Sequence, residues 1–520
     1  MFAKINCSGL RGIEGYPVAV ETTVTNGLPC FVLSGALSPE TREAQYRVWN
    51  AVLGSGYDLL PQKITVNLSP ADIRKDGTAY DLAIAISVLC AYFSFDTSLL
   101  EDMAFFGELG LDGSLKPVRG ILPLSFTAKE AGIRHLFVPF ENVQEASLVP
   151  GLEVCGVKTL KEAAEAAFGD PETRTACLFL PADSPAAGNG SGPGPDFSDI
   201  KGQFYLKRAA EIAVSGRHNI LFSGPAGTGK TMIASRMPTI MPELTREEDI
   251  EISKIYSVCG LLTRERLLLG TRPFRAPHHG ISAAAFAGGG SNVLPGELSL
   301  ASSGILFLDE LPLFPRALLE MLRQPMEERK ITISRMKGSY TYPADFQLVA
   351  AMNNCACGFY PDRKKCTCSP AQIRAYNGHL SKPLLERIDI CAEASPISYE
   401  ELVRPGSADA LPETSAVIRK RVAKAQQIQA ERFRDIPGLL FNSRMSVRDL
   451  ERFCRLGHAE ESYMKEIFTR KSLSGRTYHK ILKVARTIAD MDGCADIEKE
   501  HLAEAVGLRS LEDRLFSVGQ

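Results

Sequence analysis

Residues 219–231 read NILFSGPAGTGKT, a short apolar run followed by a glycine-rich turn and a Lys-Thr pair. From Gly224 to Thr231 the stretch fits the pattern G-x-x-x-x-G-K-[ST], and it lies between a predicted strand and a predicted helix. In this context glycines let backbone N–H groups face phosphate oxygens, and the helix N-terminus contributes the positive end of its dipole. We therefore predict a phosphate-binding loop in an α/β domain with a parallel sheet, in which Lys230 contacts the β- and γ-phosphates and Thr231 holds Mg²⁺.

Two later apolar runs end in residues suited to ATP hydrolysis. GILFLDE ends on Asp309 and Glu310, and FQLVAAMN ends on Asn353. We predict that Asp309 holds the hydrated metal, that Glu310 orients and deprotonates the attacking water, and that Asn353 positions this water. The neighbouring Asn354 is an alternative to Asn353. The predicted nucleotide-binding residues are Gly224, Pro225, Ala226, Gly227, Thr228, Gly229, Lys230, Thr231 and Asp309, of which Thr231 and Asp309 are the predicted Mg²⁺ ligands.

Arg387, in the run PLLERID, is a candidate arginine finger. The transition state of phosphoryl transfer carries charge on its equatorial oxygens, and a cationic side chain stabilises that charge. An arginine supplied by a neighbouring subunit accelerates hydrolysis by about 10³- to 10⁵-fold. The alternative is an ordinary arginine on a helix surface.

The composition is that of a folded protein with several domains. The chain has 520 residues, 45% of them hydrophobic and 23% charged, which accommodates two or three complete cores. Pro, Gly and Ser dominate residues 183–196, so we predict a flexible linker over 181–197. Strand-like and helix-like runs predict an α+β domain at 1–180 and the P-loop domain at 198–400. Helical spacing predicts an all-α lid at 401–520.

The N-terminal residues MFAKINCSGLRGIEGYPVAVE lack the apolar core of a signal peptide. No run approaches the ~20 apolar residues that span a bilayer. We therefore expect a cytoplasmic protein with reduced thiols and no membrane partner.

Four of the 13 cysteines fall close together, as Cys355-x-Cys357 and Cys366-x-Cys368. Four thiolates complete a tetrahedral Zn²⁺ shell without a water ligand. The intervening GFYPDRKK contains residues suited to a turn, and its basic residues offset thiolate charge. We predict a structural zinc site, with unliganded thiols and a redox pair as the alternatives.

The formal net charge of −2 conceals a regional asymmetry. Residues 1–182 hold 14 basic and 21 acidic side chains, whereas residues 404–486 hold 18 basic and 9 acidic ones. A basic lid, multiplied around a ring, is the electrostatic signature expected for gripping the phosphate backbone of DNA. The alternative is a solvated helical surface.

Further long strings carry a family resemblance: RPFRAPHHGIS at 272–282, GGGSNVLPGELSLASSGILFLDELP at 288–312 and SGRTYHKILKVARTIADMDG at 474–493. With the P-loop they resemble the magnesium-chelatase-like AAA+ ATPases of the bacterial ComM/YifB family. The resemblance implies that Arg476 is the sensor-2 arginine of the lid, and that Arg387 acts across a subunit boundary in a ring, with a hexamer expected. It also implies a β-hairpin at ITISRMKGSYT, in which Arg335 reaches a neighbouring subunit or is merely a solvated charge.

The N-terminal region resembles the Lon-protease-like domain of the same family, whose fold is like domain 2 of ribosomal protein S5. The matching strings are NLSPADIRKDGTAYDLAIAISVL and GELGLDGSLKPVRGILPLSFTAKEAGI. Lon-type proteolysis needs a serine nucleophile and a lysine base. Ala79 and Leu122 stand at the matching positions, so the resemblance implies a domain without peptidase activity.

These observations predict a ring-forming ATPase that uses ATP and Mg²⁺ to translocate on single-stranded or branched DNA. By the family resemblance it acts as a helicase or branch-migration motor in recombination or natural transformation. One alternative is a protein-remodelling ATPase like that of magnesium chelatase, and a disfavoured second alternative is a Lon-like protease.

Overall fold

The computed structural model describes residues 1–179, 194–263, 266–290, 292–335, 338–395 and 413–509. They form two compact units, neither of which is continuous in sequence. All but the last four residues of the predicted linker 181–197 lie outside the described residues, and so does the predicted boundary at 400/401. The first unit comprises Met1–Gly188, Arg246–Leu269 and Ser334–Tyr340, and the second comprises Asn189–Thr245, Gly270–Ile333 and Thr341–Gln520.

The first unit is built on a mixed seven-stranded sheet with the order β3-β4-β2-β1-β5-β8-β9. The long strands β1 and β2 pair antiparallel, whereas β5, β8 and β9 continue the sheet in parallel. The strands from β1 to β9 are β1 (Phe2–Arg11), β2 (Glu14–Thr25), β3 (Cys30–Ser34), β4 (Lys63–Ser69), β5 (Met103–Phe105), β6 (Glu108–Leu109), β7 (Leu115–Lys116), β8 (His135–Pro139) and β9 (Glu153–Val157). Of these, β6 and β7 pair only with each other.

Apolar helices cover this sheet. Eleven consecutive residues of α3, from Asp81 to Ala91, are buried, and α3 packs on β1 and β2 together with α4. Such a continuous apolar run is typical of a helix enclosed on all sides. The helices are α1 (Pro39–Arg42), α2 (Ala44–Gly54), α3 (Asp81–Phe93), α4 (Ile121–Glu130), α5 (Val143–Ala146), α6 (Leu160–Phe168) and α7 (Pro171–Cys177).

The second unit contains a parallel five-stranded sheet with the order β11-β14-β17-β10-β18. All of β10, β14 and β17 is buried, as expected for strands covered on both faces. The strands that follow β9 in the chain are β10 (Ile220–Ser223), β11 (Phe274–Arg275), β12 (Gly288–Gly289), β13 (Leu294–Pro295), β14 (Ile305–Leu308), β15 (Lys330–Arg335), β16 (Gly338–Pro343), β17 (Gln347–Met352) and β18 (Ile390–Glu393).

Helices surround this sheet and form the C-terminal lid, so the predicted α/β fold class with an all-α lid is confirmed. The helices that follow α7 in the chain are α8 (Phe204–Gly216), α9 (Lys230–Ile240), α10 (Arg246–Cys259), α11 (Ala283–Ala287), α12 (Glu297–Leu300), α13 (Arg316–Met321), α14 (Arg323–Glu328), α15 (Pro370–Asn377), α16 (Lys382–Leu385), α17 (Ser415–Arg432), α18 (Val447–Phe453), α19 (His458–Arg470), α20 (Gly475–Asp492) and α21 (Lys499–Gly507), and of these α10 belongs to the first unit. Among the described residues, no helix is both long enough and apolar enough to cross a membrane.

Helix α10 follows the P-loop helix in sequence but packs in the first unit, against α4. The Gly120 N–H donates to the Ser257 carbonyl at 3.1 Å, and the Ser257 hydroxyl donates to the Glu145 carboxylate. The end of β15 and the first half of β16 also belong to this unit, where Arg11 donates to the Ser339 carbonyl. The compact units therefore interleave along the chain, unlike the linear division predicted from the sequence.

Candidate functional site

The P-loop connects the buried strand β10 to helix α9, which begins at Lys230. Gly224 has a φ of +145°, and a Cβ added there would lie 2.8 Å from both the Cβ and the carbonyl oxygen of Ala394. Only glycine fits this close approach. The loop therefore presents its backbone N–H groups and the N-terminus of α9 at the carboxyl edge of the parallel sheet, where such folds bind phosphate.

Lys230 is 7% exposed and lies inside this loop. Its Nζ donates hydrogen bonds to the carbonyls of Gly224 at 2.8 Å and Pro225 at 2.7 Å, and to the Asn353 Oδ1 at 3.1 Å. Burial lowers the pKa of Lys230 to about 8, and the nearby Asp309 carboxylate opposes part of that shift. The ammonium group is thus held where polyphosphate oxygens would meet the loop.

Thr231 and Asp309 meet at the same edge. The Thr231 hydroxyl donates to the Asp309 Oδ2 at 2.8 Å, and the Glu310 N–H donates to the Asp309 Oδ1 at 2.9 Å. One hydroxyl and one carboxylate form an all-oxygen donor set that fits Mg²⁺, a cation that keeps several waters of its own. Glu310 is exposed and has a φ of +51°, which turns the chain out of β14 directly after Asp309.

The two asparagines that follow β17 have different hydrogen-bond partners. Asn353 accepts the hydrogen bond from Lys230, whereas Asn354 is 7% exposed and faces away from the lysine. The Asn354 side chain accepts a hydrogen bond from Ser223 and donates to Glu393 at 3.5 Å. Asn353 is therefore the better placed of the two to position a water at the phosphates.

Arg387 lies at the opposite edge of the sheet, because it precedes the first residue of β18, which pairs in register with the first residue of β10. It pairs with Glu327 at 2.5 Å and donates to the Pro383 carbonyl at 2.7 Å. Its buried Nε makes no hydrogen bond to any described residue. Arg476, 69% exposed, pairs with Glu386 at 3.1 Å. Both arginines line one cavity of about 410 Å³.

The four clustered cysteines are brought together. The Sγ atoms of Cys355, Cys357, Cys366 and Cys368 all lie within 4.8 Å of one another. Cys355 to Cys357 is 3.3 Å, Cys357 to Cys366 is 3.6 Å and Cys355 to Cys366 is 3.8 Å. A tetrahedral Zn²⁺ with Zn–S bonds of about 2.3 Å requires sulfur–sulfur distances of roughly 3.8 Å. The donor set and its spacing therefore fit zinc.

At the positions matching the Lon dyad, the first unit has no nucleophile and no base. Ala79 is half-buried, and Leu122 is fully buried at the start of α4. The Leu122 N–H donates to the Glu145 Oε1 at 3.3 Å, and burial raises the pKa of this carboxyl group. The hydrogen bond from Ser257 to Glu145 places part of α10 next to the position of the missing lysine.

Arg335 is exposed at the end of β15, in the part of that strand that belongs to the first unit. Its predicted contact with a neighbouring subunit stays a prediction.

Much of the basic excess of the lid is neutralised within the second unit. Within the described residues 413–486, at least eight basic side chains form ion pairs, several of them with acidic residues outside that segment, such as Glu211, Glu243 and Asp345. A regional charge count does not reveal such pairing, because the partners are distant in sequence. The eight are Arg419, Arg421, Arg432, Arg444, Arg470, Arg476, Lys480 and Arg486.

Sequence reasoning missed three residues at the nucleotide edge. The Gly358 carbonyl accepts a hydrogen bond from the Ala226 N–H of the P-loop at 2.9 Å. Burial and the Glu310 carboxylate raise the pKa of Tyr376 to about 12, while the Asn353 backbone opposes part of that shift. Ser223, the last residue of β10, donates a hydrogen bond from its hydroxyl to the Asn354 side chain. Of these three residues, only Gly358 could have been suspected from the sequence, because a glycine directly after Cys357 suggests a tight turn.

The parallel sheet, the P-loop after β10, the acidic pair after β14 and the helical lid define the AAA+ class of P-loop proteins. Models of the magnesium chelatase subunit ChlI match residues 196–402 and 20–142, and a model of its C-terminal part matches 412–509. The chain belongs to the ComM/YifB family of magnesium-chelatase-like AAA+ proteins, which carry an N-terminal Lon-protease-like domain.

Two relatives match along nearly their whole length. The chain is 40% identical to Competence protein ComM of Haemophilus influenzae over 503 residues, 96% of each protein. It is 38% identical to the uncharacterized protein YifB of Salmonella typhimurium over 520 residues, which cover 99% of this chain and 98% of YifB. Lon protease 2 of Bacillus subtilis is 31% identical over 106 residues, only 20% of this chain and 19% of that protease. Membership of the family implies ATP and Mg²⁺ as ligands.

Proposed function

We propose that this protein is a Mg²⁺-dependent ATPase that assembles into a cytoplasmic ring, with a hexamer expected, and translocates on DNA. The observation that carries the ATPase proposal is that Lys230 is hydrogen-bonded to Asn353 at the same sheet edge where Thr231 is hydrogen-bonded to Asp309. Two residues at the start of α9 and the residues that directly follow β14 and β17 meet where the P-loop presents its N–H groups.

Each residue has a distinct task in this proposal. Lys230 and the loop N–H groups bind the β- and γ-phosphates, while Thr231 and Asp309 hold Mg²⁺, which neutralises charge on those phosphates. Glu310 accepts the proton of the attacking water, and Asn353 orients that water. Arg387 and Arg476 stabilise the charge on the transferred phosphoryl group of a neighbouring subunit, because they lie at the far edge of their own sheet.

The four cysteines hold a structural Zn²⁺ in this proposal, since their spacing fits a closed tetrahedral site. Zinc in such a site has no open coordination position and does not take part in hydrolysis.

DNA as the substrate is supported by the family and by charge. The full-length relative of H. influenzae is named a competence protein, and competence concerns the uptake of DNA. The lid retains exposed basic residues on α18 and beyond it, including Arg448, Arg452 and Arg455. We propose that the motor drives branch migration or unwinding during recombination or natural transformation.

A four-way DNA junction tests the proposal. Native protein should move the junction only with ATP and Mg²⁺, and K230A should fail because nucleotide binding is lost. E310Q should bind ATP and the junction but hydrolyse about 10²- to 10⁴-fold more slowly, as expected for loss of a general base. E466Q alters a glutamate that is 68% exposed in an i,i+4 pair and should behave as the native chain.

If forked and four-way DNA are neither bound nor moved, DNA translocation is wrong, whereas ATP hydrolysis can still be measured. ATPase activity that responds to a protein partner instead would favour a chelatase-like remodelling ATPase, the second candidate, because all three matching models describe a magnesium chelatase subunit. A Lon-like protease stays disfavoured, since Ala79 and Leu122 replace the dyad.

A further inference from the structure

The four-cysteine loop, residues 355–368, touches the P-loop directly. Gly358 follows Cys357, and its carbonyl accepts the Ala226 N–H at 2.9 Å. Gly358 has a φ of +81°, and a Cβ added there would lie 3.1 Å from the Ala226 Cβ and 3.8 Å from the Asn353 Nδ2. The backbone of the cysteine loop therefore packs on the third residue of the P-loop so closely that a side chain at Gly358 would press on Ala226.

The position of Gly358 depends in turn on the sulfur cluster. The Gly358 N–H donates to the Cys355 carbonyl at 3.0 Å, and the Tyr360 N–H donates to the Cys355 Sγ at 3.4 Å. The turn that presents the Gly358 carbonyl is thus closed at one end by a cysteine backbone and at the other by a cysteine sulfur. Displacement of the sulfur atoms would displace this carbonyl.

Both ends of the loop also connect to the hydrolytic residues. Two positions before Cys355, Asn353 accepts a hydrogen bond from Lys230. Directly after Cys368, Ser369 caps α15, and Tyr376 on that helix lies close enough to the Asn353 backbone for that backbone to lower the pKa of the tyrosine. A metal ion bound by both cysteine pairs would therefore hold the segment before Cys355 and the segment after Cys368 in place beside the P-loop.

We propose that metal occupancy of the four-cysteine cluster sets the nucleotide affinity of the P-loop, through the Gly358–Ala226 contact. This inference rests on the proposed ATP and zinc sites. Two ligands coupled in this way affect each other equally, so zinc raises nucleotide affinity by the same factor by which nucleotide raises zinc affinity. Typical coupling between two sites is about 5- to 150-fold.

The test uses the full chain and two independent readouts. The first is the Kd of ADP, measured for zinc-loaded protein and for protein stripped by a chelator. The second is the rate at which zinc passes to a coloured chelator, measured with and without saturating ADP. We expect ADP to bind at least about 5-fold more weakly without zinc, and zinc to be released more slowly when ADP is bound.

G358A and G438A form a matched pair of variants. Gly438 has a φ of +77°, close to that of Gly358, but an added Cβ there meets no atom within 4 Å. Both variants carry the same backbone strain, and only G358A presses on the P-loop. G358A should retain one zinc per chain while zinc no longer changes its ADP affinity, and G438A should behave as the native chain. If the stripped protein unfolds, this pair still tests the coupling in zinc-loaded protein through the effect of ADP on zinc release.

Equal ADP affinity with and without zinc, in protein that remains folded, would overturn the inference and leave the ATPase proposal standing. Absence of zinc from purified protein that binds ADP would overturn it as well. Failure of zinc-loaded protein to bind ADP would instead overturn the proposed function itself.

Discussion

Lys230 combines burial with a dense set of acceptors. Its ammonium group contacts two carbonyls and one amide oxygen, with a carboxylate nearby, yet burial still lowers its pKa to about 8. Polyphosphate brings several negative charges to this nitrogen, and opposite charge raises the pKa of an ammonium group. The protonation state of Lys230 should therefore depend on nucleotide binding.

Nucleotide binding at pH 9 is accordingly expected to take up a proton at Lys230. At that pH the free protein holds a largely neutral lysine, which becomes charged when ATP raises its pKa, whereas at pH 7 it is already protonated. Calorimetric titration in two buffers of different ionisation enthalpy measures the uptake. K230R keeps its charge at both pH values and serves as the control for protons exchanged by the nucleotide. Equal proton uptake at pH 7 and pH 9 would contradict the prediction.

At the scale of elements, Asp389 joins the lid to the sheet. It directly precedes β18 and accepts a hydrogen bond from the Asn219 N–H at 3.0 Å. Its carboxylate also forms an ion pair with Lys480 of α20 at 2.9 Å and lies 3.8 Å from the His218 ring. Burial alone would raise the pKa of Asp389, but Lys480 and His218 outweigh it and hold the pKa well below its usual range. The stability gained from this carboxylate is therefore present above about pH 4 and lost as the pH falls.

D389N should lower the free energy of unfolding of the second unit by about 3 kcal/mol, because it leaves Lys480 buried without its charge partner. Urea unfolding followed by circular dichroism measures the change. The exposed pair between Arg470 and Glu466 gives the control, and E466Q should change the stability by less than about 0.5 kcal/mol. A D389N effect as small as that of E466Q would show that this ion pair does not hold the lid.

Periodicity predicted most elements, with informative exceptions. The apolar run HLFVP at 135–139 has the pattern of a strand and forms β8, whereas FFGEL at 105–109, which has the pattern of one strand, divides between β5 and β6 at Gly107. That glycine has a φ of +157°, and its N–H donates to the Ala79 carbonyl. Helix α10 packs against α4 in the first unit through contacts between residues more than 100 positions apart, which no local pattern predicts.

At the scale of the whole molecule, one chain does not bring all predicted catalytic residues to one phosphate. The P-loop, Asp309 and Asn353 lie at the carboxyl edge of the sheet, and Arg387 lies at its amino edge. A strand of four residues is about 13 Å long, so Arg387 and the phosphate site, at opposite ends of the strands, are too far apart for a hydrogen bond. If Arg387 and Arg476 act in hydrolysis, a neighbouring copy must supply them.

Mixing inactive variants tests this arrangement. K230A retains both arginines and R387A retains a complete P-loop, so rings assembled from equal amounts of the two should recover up to about a quarter of native ATPase activity. R476A mixed with K230A should recover in the same way. K230A mixed with E310Q should not recover, because both defects lie at the same edge of the same subunit. No recovery with R387A, in rings of native size, would place Arg387 outside the shared site.

Sequence patterns were sufficient to predict the P-loop, the acidic pair after its strand, the four-cysteine spacing and the absence of the Lon dyad. Each of these features is carried by short strings of neighbouring residues. The packing of distant elements was needed to show that Asn353 rather than Asn354 contacts Lys230, that lid arginines are paired, and that Gly358 contacts Ala226. Side-chain direction and ion pairing depend on which distant elements pack together, and no local pattern contains that information.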